Sequence, residues 1–94
     1  TLAKQQLVRL IDSLPESEQQ IRDAFQAGDL TALLDWVHGL NGASRYCGAP
    51  ELALLVETLE TRLRTSGLRH VEALLDELYV AMTRLSQERA SLVN

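Results

Sequence analysis

The chain has 94 residues, 46% of them hydrophobic but only 4% aromatic, and a formal net charge of −4 at pH 7. That is enough for one domain with a modest core of Leu, Val, Ile and Ala, and the acidic balance argues against nucleic acid as the main partner. One cysteine, Cys47, excludes an intramolecular disulfide and fits a reducing compartment; no apolar run nears the roughly 20 residues that span a bilayer, and no signal-peptide pattern opens the chain.

The first periodic stretch is Thr1 to Leu14, where Leu7, Leu10, Ile11 and Leu14 recur at three- and four-residue spacing. Ser13-Leu14-Pro15-Glu16 reads as a stop followed by a start, since proline breaks a continuing helix yet suits a first turn. A second helix is expected from about Glu16 to Ala27, burying Ile21, Ala24 and Phe25. Gly28 suits a C-terminal cap and Asp29 an N-cap for a third helix, Leu30 to about Cys47. Gly48-Ala49-Pro50 closes that helix and opens a fourth, whose buried stripe is Leu52, Leu55, Val56, Leu59 and Leu63. Thr65-Ser66-Gly67 is the next break. A fifth helix is expected from about Arg69, burying Val71, Leu74, Leu75, Leu78, Met82 and Leu85, and fraying from Gln87 to Asn94. With no strand alternation and short connections, the expected fold is all-α: an antiparallel four-helix bundle with an additional short N-terminal helix, in a single domain over residues 1–94. Because Thr1 rather than Met comes first, the domain is expected to be part of a longer protein.

The chemistry converges on His38. Leu30, Leu33, Val37, Leu40 and Ser44 share one helix face, and His38 falls about 100° from its middle, at the edge where a side chain reaches solvent. Asn41, Gly42 and Arg45 follow on the same side. Gly42 costs about 1 kcal/mol relative to Ala inside a helix, so its presence suggests close approach by something beside His38; helix packing is the alternative. His38 and His70 lack ligand partners at metal-binding spacing, and Cys47 stands too far along the helix to pair with His38 as a nucleophile. No strand precedes the glycines, as a phosphate loop requires. A phosphoryl acceptor remains. A neutral imidazole is nucleophilic at near-neutral pH, with Nε2 projecting outward while the other nitrogen holds the proton. Asn41 can hydrogen-bond a phosphoryl group there and Arg45 can offset its charge. Leu34, within an apolar patch, and Asp35 on its rim are candidate partner contacts. Arg62, Arg64 and Arg69 read as solvated charge.

The run His38-Gly39-Leu40-Asn41-Gly42-Ala43-Ser44, followed by Gly48-Ala49 and Leu52, resembles the signature of histidine phosphotransfer (Hpt) domains. The longer phrase from Val37 to Pro50 is most similar to the C-terminal Hpt domain of GacS/BarA-type hybrid sensor kinases. The resemblance implies a phosphorelay: His38 takes a phosphoryl group from a receiver-domain aspartate of the parent kinase and passes it to the aspartate of a response regulator (GacA/UvrY-like). It implies no kinase activity and no cofactor in this domain, with Mg²⁺ in the receiver. It also implies a monomeric cytoplasmic domain without direct membrane contact, belonging to a parent in the bacterial inner membrane. Gly42 becomes the gap that admits the receiver. The sequence departs from the family at Asn41, where a lysine is frequent. The alternative is a non-catalytic interaction or dimerisation module; against a kinase dimerisation hairpin, which has an acidic residue after its histidine, Gly39 follows His38.

Overall fold

The computed structural model describes residues 1–93; Asn94, within the segment expected to fray, lies outside the described residues. Four long helices, α1 (Leu2–Gln26), α2 (Leu30–Tyr46), α3 (Pro50–Ser66) and α4 (Glu72–Gln87), are followed by a five-residue turn of helix, α5 (Arg89–Val93). Neighbours in the chain are neighbours in space: α2 packs on α1 and α3, and α4 on α3 and α1, in a rod measuring 41 × 19 × 19 Å. The short connections reverse the chain each time. Two side-chain bonds display the antiparallel pairing: Gln6 near the start of α1 donates to the Tyr46 hydroxyl at the end of α2 (3.2 Å), and Arg84 late in α4 pairs with Glu51 early in α3 (3.5 Å).

The bundle is the expected one, but its first element is not. The break at Pro15 does not occur, and the additional N-terminal helix is the first half of a continuous α1 with Pro15 inside it. Proline in a helix interior costs about 3 kcal/mol or more, through a lost N–H and a ring clash. Against that, Leu10, Leu14, Ser17, Ile21 and Ala24 form one buried stripe running past the proline, at alternating steps of four and three. Each fully buried Leu or Ile contributes about 1.5–3 kcal/mol, so straight continuation outweighs the kink penalty. Pro15 itself faces solvent. Ser13, expected near a helix start, instead donates its hydroxyl back to the Leu10 carbonyl at 2.7 Å.

The remaining punctuation follows the sequence closely. Asp29 caps α2 by accepting from the Ala32 N–H (3.1 Å), and Pro50 opens α3. Gly48 closes α2 at φ +76°, a conformation that turns the chain so that the Ala49 N–H reaches the Ser44 carbonyl at 2.9 Å. The last long helix starts at Glu72 rather than Arg69, because His70 takes φ +59° and ends any helical run there. Beyond Gln87, where fraying was expected, α5 folds back against α1, and Arg89 grips Asp12 with two hydrogen bonds (2.6 and 3.2 Å). The core comprises the expected leucines and valines, with Phe25, Leu55, Leu74 and Leu85 only partly buried at its margin. Among the described residues no helix is long and apolar enough to cross a membrane.

Candidate functional site

α2 carries its apolar stripe (Leu33, Val37, Leu40 and Ser44) fully inward, which fixes how every other residue on that helix faces. His38, one position past Val37, is turned out to the α2–α3 edge, with 71% of its side chain exposed. The ring is nevertheless held. Its Nδ1 lies 3.0 Å from Oε2 of Glu60, across the groove on α3. Glu60 is the buried charge of the site: it sits one step from Leu59 on the inner stripe of α3, and only 12% of its side chain is exposed.

Three side chains satisfy that carboxylate. Asn41 donates from Nδ2 to Oε1 (3.1 Å), His38 faces Oε2, and Arg64, one turn along α3, donates to Oε2 from both Nε (3.1 Å) and a terminal nitrogen (2.8 Å). The Asn41 hydrogen bond foremost, then those of Arg64 and His38, pull the Glu60 carboxyl down to about 2 from its ordinary 4.5, overriding a burial that pushes it up. At neutral pH Glu60 is therefore an anion and only accepts. The proton shared with His38 then belongs to the ring nitrogen: Nδ1–H donates, and in the neutral ring the lone pair is left on Nε2, which has no hydrogen bond among the described residues. The nitrogen not held by Glu60 is thus the one with a free lone pair.

The structure brings Asn41 to the site but directs it at Glu60. Its Oδ1 accepts from Arg45 Nε at 3.0 Å, and Arg45 also reaches Glu57 at 2.8 Å. Arg45 thus stands behind Asn41 and supports it. Gly42 is exposed, and a Cβ built there meets nothing within 4 Å; the same holds for Gly39. Close packing of α2 within the bundle therefore does not explain Gly42. Leu34 is partly buried, one turn before His38, and Asp35 is exposed. Asp35, Trp36, Gly39, Leu40 and Ala43 border a shallow groove of about 440 Å³ against Leu10, Ser13 and Ser17 of α1; His38, which faces α3, does not line it.

Two residues of the site were not foreseen. Glu60 is invisible to a search along α2 because it approaches from another helix. Its one sequence signal is a carboxylate lodged among apolar positions, between Leu59 and Leu63, with an arginine four residues on. Arg64, read as solvated, is a full member of the cluster. Among the described residues no group of three or more His, Cys, Asp or Glu side chains is placed to hold a metal ion.

A model of the Hpt domain family matches residues 5–88. The chain belongs to the Hpt domain family. Its relatives agree: it is 40% identical over 87 residues to the sensor histidine kinase GacS of Pseudomonas protegens, and 30% identical over 94 residues to the signal transduction histidine-protein kinase BarA of Escherichia coli K12. Those matches cover 93% and 98% of this chain but 9% and 10% of the relatives, so the Hpt domain spans about a tenth of their length. Among solved structures, the Hpt domain of a sensor hybrid histidine kinase from Shewanella superposes with a TM-score of 0.88 at 32% identity, covering 98% of this chain and 80% of that one. The fold is that of an Hpt domain, and the module is one of histidine phosphotransfer in two-component signalling.

Proposed function

We propose that His38 is the phosphoacceptor of this Hpt domain. The observation that carries the reading is the Nδ1–Glu60 hydrogen bond, which leaves the exposed ring with its lone pair on Nε2. Nε2 attacks the phosphorus of a receiver's aspartyl phosphate; the bond to the aspartate oxygen breaks and its electron pair stays with the carboxylate. In the onward step the carboxylate of a response regulator attacks the same phosphorus and the P–Nε2 bond breaks. No base in the Hpt domain is required, because the attacking nitrogen carries no proton.

Asn41 and Arg45 are assigned to the phosphoryl-bearing state. They stand within two turns of His38, and Arg45 brings the positive charge that the family's frequent lysine supplies at position 41. Leu34, Asp35 and Gly42 are assigned to receiver docking, where the bare backbone at Gly42 lets a partner surface come close. Mg²⁺ is assigned to the receiver and no cofactor to this domain. The partners are the receiver of a parent hybrid kinase and a GacA/UvrY-like response regulator, reached by a monomeric domain on the cytoplasmic side of a parent in the bacterial inner membrane.

The test is phosphoryl transfer from phosphorylated receivers with Mg²⁺, comparing the parent domain with His38→Gln. Acid-labile, base-stable label on the parent alone supports the reading. No label from any receiver offered to the folded domain would return it to an interaction module.

A further inference from the structure

Glu60 does more for the reaction than orient an imidazole, because a carboxylate differs from other acceptors in its charge. The following rests on His38 being the phosphoacceptor. When Nε2 of the Nδ1-protonated ring takes a phosphoryl group, the ring becomes a phosphoimidazolium carrying a positive charge. Its Nδ1 proton is then far more acidic than in the free imidazole. If that proton is lost, the onward step must expel an imidazolate anion, which is a poor leaving group. If it is kept, the P–Nε2 electron pair returns to a ring that departs as neutral imidazole, with Nδ1–H in place and no proton to be moved during the transfer.

We infer that Glu60 keeps the Nδ1 proton on the phosphorylated His38 ring, and so sets the pH range over which the phosphoryl group can leave. The geometry places an oxygen of the mostly buried Glu60 carboxylate 3.0 Å from Nδ1 of the exposed ring, so that it meets the phosphoimidazolium charge at hydrogen-bond range. The fixed charges around the ring are few. From α3 come Glu60 and Arg64; from α2 come the exposed Asp35 and, a turn or two further along, Arg45, which is tied to Glu57. The α1 side chains across the groove from Asp35 and Gly39 are Leu10, Ser13 and Ser17, none of them charged. Glu60 is thus the anion in contact with Nδ1, and Arg64, on the same oxygen, is the cation that moderates it. Glu60 acts here through His38, as a positioning and charge-setting residue.

The experiment loads the domain chemically with phosphoramidate, so that no receiver is involved. It follows the phosphorylated His38 ring by ¹⁵N NMR from pH 6 to 9, and release of phosphate to water by ³¹P NMR. Glu60→Gln, of nearly the same shape, is expected to lose the ring proton at least about one pH unit lower than the parent, and to release phosphate about tenfold more slowly above that pH, with the gap closing towards pH 6. Arg64→Ala is expected to move the proton loss the opposite way, to higher pH, since it frees the carboxylate charge. This second variant leaves the inference open to refutation even if Glu60→Gln does not fold. Superimposable titrations, or a slowing that is the same at every pH, would mean that Glu60 only shapes the site, and would overturn the inference. A domain that loads and titrates as expected yet takes no phosphoryl group from any receiver would instead break the relay reading.

Discussion

Of the ionic contacts that tie helices together in this domain, the one at Asp12 and the one at Glu60 differ in the way that matters. Asp12 and Arg89 join α1 to α5 through a 2.6 Å contact, the shortest ion pair in the described residues, but about half of each side chain is in solvent. Glu60 joins α3 to α2 through longer contacts, and it is nearly enclosed. A surface pair gains little because water and salt screen it. A nearly buried carboxylate must have all its partners, because any left out exposes an unmet charge in a poor solvent for it. Burial, more than bond length, decides which cluster the molecule depends on, and the dependent one holds the ring of His38.

The largest effect should come from His38 itself. His38→Gln should abolish acid-labile labelling with only a small shift in the urea unfolding midpoint, because the ring is mostly exposed and the glutamine amide still offers Glu60 an N–H donor. Next is Glu60→Ala, which strands Asn41 and Arg64 and frees the His38 ring. It should cost about 1–3 kcal/mol of stability by urea unfolding and also slow phosphoryl acceptance. A variant with wild-type stability would show that the buried cluster is no more important than the surface one. The pH dependence has a definite sign. The Glu60 carboxyl is lowered in the folded state, so its contribution is complete above its ordinary 4.5 and is lost as pH falls towards about 2. The parent should therefore lose stability across that interval, and Glu60→Gln should lose less; circular dichroism at a series of acid pH values checks this.

Gly42→Ala separates folding from docking. With open space around a new Cβ, the bundle should gain about 0.5–1 kcal/mol from the better helix former, while transfer from a receiver slows. Faster or equal transfer would remove Gly42 from the docking surface. The smallest effect should be that of Asp12→Ala, a slight fall in the thermal unfolding midpoint at low salt that vanishes as salt is raised.

What lies along one helix is legible in the sequence. The position of His38 beside the Val37 stripe, the Asp29 cap, the start at Pro50 and the turn at Gly48 all follow from spacing and local backbone chemistry. What requires two helices is not. Pro15 looks like a boundary until the stripe on either side of it is seen to pack continuously against α2 and α4, a tertiary gain that local rules do not contain. Glu60 looks like one more charge on an acidic chain until α3 lies against α2. The Hpt signature points to His38; it says nothing of the carboxylate on the facing helix that holds the ring by Nδ1.

The bare backbone on α2 has a consequence for partner choice. At Gly39 and Gly42 the surface beside His38 offers an incoming protein only peptide groups, which are the same whatever the sequence. Nothing at those two positions can tell one receiver from another. On the proposed docking face, discrimination then falls to side chains such as Leu34 and Asp35, neither of which is hydrogen-bonded to the ring or to the carboxylate behind it.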